Sequence, residues 1–198
     1  MYLYNPTKKI IAIMLSLFGI FCVILALSLI KMFEKPQYAN IVEMYPLLSE
    51  DNVFEEVSAD RIIQMIDNRE DGLIVFGFPA CPWCQQLLPV LDTVAKKSQI
   101  FHIFYVDIKD MRDNESSPDH EKYLYIKQKF KEILDVEHDR INAPTVVTVT
   151  AGNVIDYHLD TVPSHQMVDG RLPEMTAEQK RELAEILKQV IRPIYKRV

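Results

Sequence analysis

Two cysteines stand two residues apart directly after a short apolar run, and this stretch constrains the fold more than any other. Residues 73–76 are leucine, isoleucine, valine and phenylalanine, a composition typical of a strand buried on both faces. Leucine and valine then recur at helical spacing over residues 87–94. The pattern therefore predicts a buried strand, a turn at Cys81 and a helix whose first turn contains both Cys81 and Cys84.

The predicted position of these thiols indicates redox chemistry. Unpaired backbone amides and the positive end of the helix dipole lie at a helix N-terminus, where they favour a thiolate over a thiol. We therefore expect Cys81 to be the nucleophile. Cys84 follows one turn later, close enough to attack a mixed disulfide on Cys81 and release the substrate. The expected reaction needs no cofactor other than a redox-active Cys81–Cys84 disulfide.

A cysteine pair at this spacing has two other interpretations. One is half of a zinc site, which would need two more Cys or His ligands. The third cysteine, Cys22, lies in an N-terminal apolar segment, and the five histidines show no H-x-x-x-H spacing, so we expect no metal. The other alternative is an inert structural disulfide. The strand-turn-helix context favours redox chemistry over both.

An uncharged segment at residues 10–30 predicts a membrane anchor. As a helix it would span about 31 Å, against a bilayer core of about 30 Å. A cleavable signal peptide is the alternative, but its apolar region is usually about 7 to 15 residues long, and no convincing cleavage site follows Ile30. The sequence thus predicts a short flank at residues 1–9 and a single-pass signal anchor at residues 10–30.

The distribution of charge argues against a nucleic-acid partner but does not give the orientation of the anchor. Lys8 and Lys9 before the segment are matched by Lys31 and Lys35 after it. A single N-terminal anchor before a complete acidic domain nonetheless favours delivery of that domain outside the cytoplasm. The whole chain has a formal charge of −6, and the four flanking lysines leave the remainder more acidic still. We therefore expect no nucleic-acid partner.

The rest of the chain predicts a linker and one α/β domain. Residues 31–51 contain Pro36 and Pro46 and are predicted to be the linker, and residues 52–198 the domain. A polar loop and an apolar helical face predict an insertion at about residues 109–140. Two strands in a hairpin and a long final helix follow, with the helix introduced by a capping box of Thr176 and Gln179 and ended by Pro193.

This order of elements resembles the thioredoxin fold, in which helices flank a central mixed sheet, and residues 52–192 are similar to that family. Pro89 is similar to the proline that kinks the active-site helix of thioredoxins, and Ala143-Pro144-Thr145 to their cis-proline loop. The resemblance implies that the Ala143–Pro144 bond is cis. It also implies that this loop lies beside Cys81 and presents backbone groups to an extended substrate.

The anchor, the C-P-W-C motif and the acidic insertion also resemble, more narrowly, the thioredoxin-like bacteriocin transport accessory proteins of Gram-positive bacteria. That resemblance implies a membrane-tethered thiol-disulfide oxidoreductase outside the cytoplasm. Its partners would be cysteine-containing exported peptides or proteins and a thiol protein that exchanges electrons with it. The alternative is a tethered binding or assembly module with an idle disulfide.

Six residues form the predicted site. Cys81 and Cys84 are expected to be catalytic, and the substrate is expected to contact Pro82, Trp83, Ala143 and Pro144.

Three positions depart from the thioredoxin pattern. Val75 stands where thioredoxins carry a buried aspartate, and Ala80 where a tryptophan usually precedes the first cysteine. The glycine that thioredoxins place after the hairpin is replaced near Asp160. These departures leave the direction of electron flow open.

Overall fold

The computed structural model describes residues 14–21, 23 and 39–195, and the chain divides into two compact units after Pro36. In the first unit, residues 14–21 and 23 are helical with exposed side chains. The remainder of the predicted anchor, the flank at residues 1–9 and Cys22 lie outside the described residues. Of the helices within the described residues, none has the length and apolar character needed to cross a bilayer.

The second unit alternates strands and helices. Its elements are α1 (Ala39–Met44), β1 (Phe54–Glu56), α2 (Ala59–Asp67), β2 (Gly72–Gly77), α3 (Pro82–Lys97), β3 (Ile103–Asp107), α4 (Lys109–Asp113), α5 (His120–Lys129), a short 3₁₀ helix (Lys131–Ile133), β4 (Leu134–Asp135), β5 (Arg140–Ile141), β6 (Thr145–Thr150), β7 (Asn153–Leu159) and α6 (Ala177–Tyr195).

The main sheet has five strands in the order β1-β3-β2-β6-β7. β1, β3 and β2 are parallel, whereas β6 is antiparallel to β2 and β7 is antiparallel to β6. β4 and β5 form a separate two-stranded sheet. This element order and this mixed sheet are those of a thioredoxin-like α/β fold, as the resemblance implied.

The sheet is covered by helices on both faces because the side chains of β2 alternate between them. Leu73 and Val75 enter a core with α1, α3 and α6. Ile74 and Phe76 enter a second core with α2 and α5. The strand that leads into the cysteine pair is therefore buried on both sides, as its uninterrupted apolar run predicts.

The folded chain begins earlier than the predicted boundary at residue 52. Ile41 and Tyr45 are fully buried and Leu48 is nearly so, all within the first core. Their spacing of three to four residues puts them on one side of a helix and the turn after it. The stretch contains prolines and was predicted to be a linker, but from residue 39 onward it packs against the domain and supplies part of its core.

The predicted insertion is more ordered than its polar composition indicates. The stretch expected to be a loop contains α4, whose Met111 is buried, and the small β4–β5 sheet was not predicted. The helical apolar face is confirmed, since Tyr123, Ile126 and Phe130 are all buried. Arg112 links α4 to β5, because its guanidinium donates to the Ile141 carbonyl over 3.3 Å.

The capping box of the last helix is confirmed. The Gln179 amide N–H donates to the Thr176 hydroxyl over 3.2 Å, and the Thr176 amide N–H donates to the Gln179 side-chain oxygen over 2.9 Å. Pro193 lies inside α6, which continues to Tyr195, so the predicted end of this helix is wrong. A proline so near the C-terminus removes only one hydrogen bond of the last turn.

Candidate active site

The two cysteines lie where β2 passes into α3. Cys81 is the N-cap residue of α3, and Pro82 occupies the first helical position, where a missing amide hydrogen costs nothing. The Gln85 side-chain amide donates to the Pro79 carbonyl over 2.8 Å and to the Met44 carbonyl over 2.9 Å. One side chain therefore joins the turn before Cys81 to the end of α1.

The Cys81 sulfur lies between the helix and the Ala143-Pro144 loop. Its Sγ accepts the backbone N–H of Cys84 over 3.2 Å, and its thiol donates to the Ala143 carbonyl over 3.3 Å. Cys81 keeps 2% of its surface exposed, whereas Cys84 keeps 0%. Both cysteines are therefore buried, and only Cys81 keeps a small exposed fraction.

The two thiols have opposite acidities. A hydrogen bond from the Cys84 side chain, aided by the backbone N–H groups of Cys84 and Trp83, lowers the pKa of Cys81 against the opposing effect of burial. Burial raises the pKa of Cys84, and its hydrogen bond and charge interaction with Cys81 raise it further. The site therefore favours a thiolate on Cys81 and a protonated thiol on Cys84.

The loop opposite the cysteines has the conformation that the resemblance implied. The Ala143–Pro144 peptide bond is cis, and the Ala143 carbonyl contacts the Cys81 thiol directly. The Pro144 carbonyl accepts the backbone N–H of Asp160 over 3.0 Å, and the Thr145 hydroxyl donates to the Asn142 carbonyl over 2.8 Å. These bonds fix the loop from both sides.

A groove of about 470 Å³ opens next to this loop. Trp83, Ala143 and Asp160 line it, together with the segment that follows β7. Of the residues predicted to contact substrate, Trp83 and Ala143 therefore face the groove. Pro82 is exposed and Pro144 is buried, and neither contributes to the groove lining among the described residues. Substrate contact by these four residues stays a prediction.

Asp160 contributes the acidic charge at this end of the site. Its φ of +57° is in the left-handed region that favours glycine, which agrees with the glycine expected near this position from the resemblance. Burial raises the pKa of its carboxyl group. Its charge in turn raises the pKa of both Cys81 and Cys84. The sequence singled out Asp160 only as a departure, not as a charge that acts on the thiols.

Two histidines, the buried His165 and the half-buried His158, hold the segment that forms the far wall of the groove. His165 pairs with the Thr161 hydroxyl over 2.9 Å and with the Pro173 carbonyl over 2.7 Å, and His158 pairs with the Thr161 carbonyl over 2.7 Å. Burial lowers the pKa of His158. Their ring nitrogens are used in structural hydrogen bonds, so these histidines shape the groove wall.

A tyrosine pair lies behind the buried cysteine. The hydroxyl groups of Tyr45 and Tyr105 are 2.8 Å apart, and both side chains are fully buried. Sequence reasoning missed both residues, although the spacing of Ile41, Tyr45 and Leu48 was the signal that a buried helical face begins before residue 52. Among the described residues, no cluster of three or more His, Cys, Asp or Glu side chains is arranged to hold a metal ion.

No protein-family model matches this chain. Among solved structures, it is similar to thioredoxin O2 from Arabidopsis thaliana in its oxidized state, with a TM-score of 0.41 and 15% identity over 73% of this chain and 96% of that one. A thioredoxin from Trypanosoma brucei brucei gives a TM-score of 0.42 and 13% identity over 75% of this chain and 96% of that one. Thioredoxin NaTrxh from Nicotiana alata gives a TM-score of 0.40 and 13% identity over 72% of this chain and 96% of that one. These are distant likenesses.

Proposed function

We propose that this protein is a thiol-disulfide oxidoreductase that works through Cys81 and Cys84. The observation that carries the proposal is the division of labour between the two sulfurs. Cys81 accepts an N–H at the start of α3 and has a lowered pKa, whereas burial raises the pKa of Cys84. A stabilised thiolate is the attacking species in disulfide exchange.

The exchange has two steps. In the reducing direction, the Cys81 thiolate attacks a substrate disulfide, forms a mixed disulfide and expels one substrate sulfur as a thiolate. Cys84 then loses its proton and attacks Cys81, which forms the Cys81–Cys84 disulfide and expels the second substrate sulfur. The substrate gains two electrons and the cysteine pair loses two. In the oxidising direction the same bonds form and break in reverse order.

The groove beside Ala143 is the proposed binding site for the substrate. Trp83 offers an aromatic side chain to the groove, and the loop of Asn142 and Ala143, which also lines it, offers backbone groups. An extended peptide with a cysteine would place its sulfur at Cys81 and its neighbouring residues along the groove. We propose peptides or proteins exported from the cell as substrates, and a separate thiol protein as the partner that restores the starting redox state.

Tethering to the cell membrane is part of the proposal. Residues 10–30 are uncharged and long enough to span a bilayer as a helix, and the resemblance to bacteriocin transport accessory proteins supports a catalytic domain outside the cytoplasm. Fractionation of cells tests this. The full chain is expected in the membrane fraction and to be degraded by protease added to intact cells. Recovery of the full chain in the soluble fraction would contradict the anchor.

Trapping of the mixed disulfide tests the enzyme function. A full chain with Cys84→Ser cannot complete the second step, so it is expected to accumulate covalent adducts in cells, and a reductant should release them. Cys81→Ser is the matched control and should form none. Equal adducts from both variants would contradict the proposal. Full biological function of the Cys81→Ser chain would favour the binding or assembly module instead.

The reduction potential of the Cys81–Cys84 pair determines the direction. A value near about −270 mV would indicate a reductase, and one near about −120 mV an oxidase, because a more stabilised thiolate makes the disulfide a stronger oxidant. Equilibration of the full chain with glutathione mixtures, read out by alkylation of free thiols, measures this potential. Substitution of Cys22 by serine keeps the third thiol out of the readout.

A further inference from the structure

The second step of the proposed exchange, on which this inference rests, makes a chemical demand at Cys84. The thiol must lose its proton before it can attack Cys81, yet its side chain has 0% exposure and burial raises its pKa. Water at the surface does not reach it directly. A proton that leaves Cys84 therefore needs a route through neighbouring polar groups of the protein.

Tyr45 and Tyr105 lie close to Cys84 around Gly77. A Cβ atom added at Gly77 would lie 3.3 Å from Cys84 Sγ, 3.5 Å from the Tyr45 hydroxyl oxygen and 3.1 Å from a ring carbon of Tyr105. The sulfur and the tyrosine pair thus surround one point, and the missing side chain of Gly77 leaves room for their approach. Val75, on the same face of β2, adds only an apolar side chain.

The tyrosine pair leads from the interior toward carboxylates near the surface. Tyr105 pairs with Glu56 in the β1–β3 register, and Asp107 lies two residues further along β3. Since registered partners and residues two apart point to the same face of a sheet, Glu56, Tyr105 and Asp107 lie together. Glu56 is exposed and Asp107 half-buried. Burial is the main cause of the raised pKa of Tyr105, and the charges of Asp107 and Glu56 add to it.

We propose that Tyr45 and Tyr105 relay the proton of Cys84 to the carboxylates of Glu56 and Asp107 during disulfide exchange. The Cys84 proton moves to the Tyr45 oxygen, the Tyr45 proton moves to Tyr105, and the Tyr105 proton moves to a carboxylate. Each hydroxyl gains one proton and gives one away, so both tyrosines end neutral. The Cys84 thiolate then attacks Cys81, and the substrate sulfur leaves with the electron pair of the broken bond.

The relay works in either direction of electron flow, because the proton returns along the same route when Cys84 is released as a thiolate. Within the described residues, the ionisable groups that interact with the two sulfurs and the tyrosine pair come from six elements: Tyr45 after α1, Glu56 in β1, the cysteines at the start of α3, Tyr105 and Asp107 in β3, Arg112 in α4, and Asp160 after β7.

Stepwise release of a coloured thiolate from a symmetrical nitrophenyl disulfide separates the two sulfurs. The first equivalent reports attack by Cys81, and the second reports attack by Cys84. The assay uses the detergent-solubilised full chain with Cys22→Ser. The variants are Tyr45→Phe and Tyr105→Phe, and the control is Tyr123→Phe, a buried tyrosine whose hydroxyl accepts the Ile141 N–H elsewhere in the domain.

In Tyr45→Phe we expect the first release to keep its rate and pH midpoint. The second release should slow by about a hundredfold near neutral pH, the lower end of what a positioned acid–base group contributes. It should recover as the pH rises, because hydroxide that enters during transient local opening then removes the proton. Tyr105→Phe should behave alike, and Tyr123→Phe should match the unsubstituted chain. A merely structural loss would not confine the effect to one pH-dependent step.

An unchanged rate and pH profile of the second release in Tyr45→Phe would overturn the relay, and so would equal slowing in Tyr123→Phe. Should Tyr45→Phe fail to fold, the same criteria apply to Tyr105→Phe. Failure of the proposed function gives a different result. The chain that carries only Cys22→Ser would then release one equivalent of coloured thiolate or none.

Discussion

The front and the rear of the active site differ sharply although their cysteines are three residues apart. At the front, Cys81 contacts the Cys84 N–H and the Ala143 carbonyl and has a lowered pKa. At the rear, Cys84 lies against Gly77 and the tyrosine pair and has a pKa raised by burial. A helix N-terminus therefore does not activate every thiol in its first turn. Hydrogen bonds to the sulfur favour the thiolate at Cys81, whereas burial favours the protonated thiol at Cys84.

The largest expected effect comes from removing each sulfur in turn. Cys81→Ser should lose both steps of thiolate release, a fall of more than about a thousandfold, because the front nucleophile is gone. Cys84→Ser should keep the first step and lose only the second. Stopped-flow absorbance with the nitrophenyl disulfide measures both steps.

Cys22→Ser is the control for these variants and should keep both steps. A Cys84→Ser chain that lost the first step as well would show that the reactivity of Cys81 depends on Cys84. That result would contradict the separation of front and rear.

The next largest effect is on the stability of the fold and concerns the packing around Gly77 at the rear of the site. Gly77→Ala should lower the free energy of unfolding by about 1 to 3 kcal/mol, because the new methyl group meets fully buried neighbours that have little room to move. Urea-induced unfolding of the reduced full chain measures the change. Ala80→Ser, at an exposed position in the turn before Cys81, should change stability by less than about 0.5 kcal/mol. Equal stability of Gly77→Ala and the unsubstituted chain would mean that the rear is loosely packed.

A smaller effect is expected in the groove at the front. Trp83→Ala should raise the KM for a disulfide-bonded peptide by about tenfold with kcat unchanged, as loss of roughly 1.4 kcal/mol of contact predicts. Steady-state kinetics measure the split between the two constants. Phe101→Ala removes an aromatic side chain that is 68% exposed and should leave KM unaltered. A fall in kcat alone would assign Trp83 to packing around Cys81.

The smallest effect concerns the charge shared by both regions. Asp160→Asn should lower the pKa of Cys81 further, because the carboxylate disfavours a nearby thiolate. The pH midpoint of iodoacetamide alkylation should therefore move down. The effect requires an ionised Asp160. It is therefore present only at pH values above the pKa of that carboxyl group, which burial has raised. Asp156→Asn on β7 is the control, and a midpoint that moved up in Asp160→Asn would contradict the assignment.

Much of the front was predictable from local patterns. An apolar run followed by helical spacing predicted β2 and α3, and the thioredoxin resemblance predicted the place of the Ala143-Pro144 loop. The groove wall after β7 was not predictable, because its irregular backbone is held by His158 and His165 through hydrogen bonds that no periodicity encodes. The chemistry of Asp160 was missed for the same reason.

The rear was largely invisible in the sequence. The stretch before residue 52 was predicted to be a linker from its prolines, although Ile41, Tyr45 and Leu48 recur at helical spacing. Such a short apolar pattern does not show what it packs against. The structure places it on the first core, where the Tyr45 ring meets the Tyr105 ring edge to face at a centroid distance of 5.6 Å.

The cysteine pair, its place at the start of a helix and the order of strands and helices were predictable from the chain alone, because hydrophobic periodicity and residue spacing are local properties. The resemblance of that order to thioredoxins then implied the fold class. Tertiary packing sets how the hydrogen bonds and burial differ between the two sulfurs, which carboxylate acts on both, and what lies behind the second. The hydroxyl contact of Tyr45 and Tyr105 joins residues 60 positions apart. Pairings of that kind depend on how strands and helices stack, which no local pattern specifies.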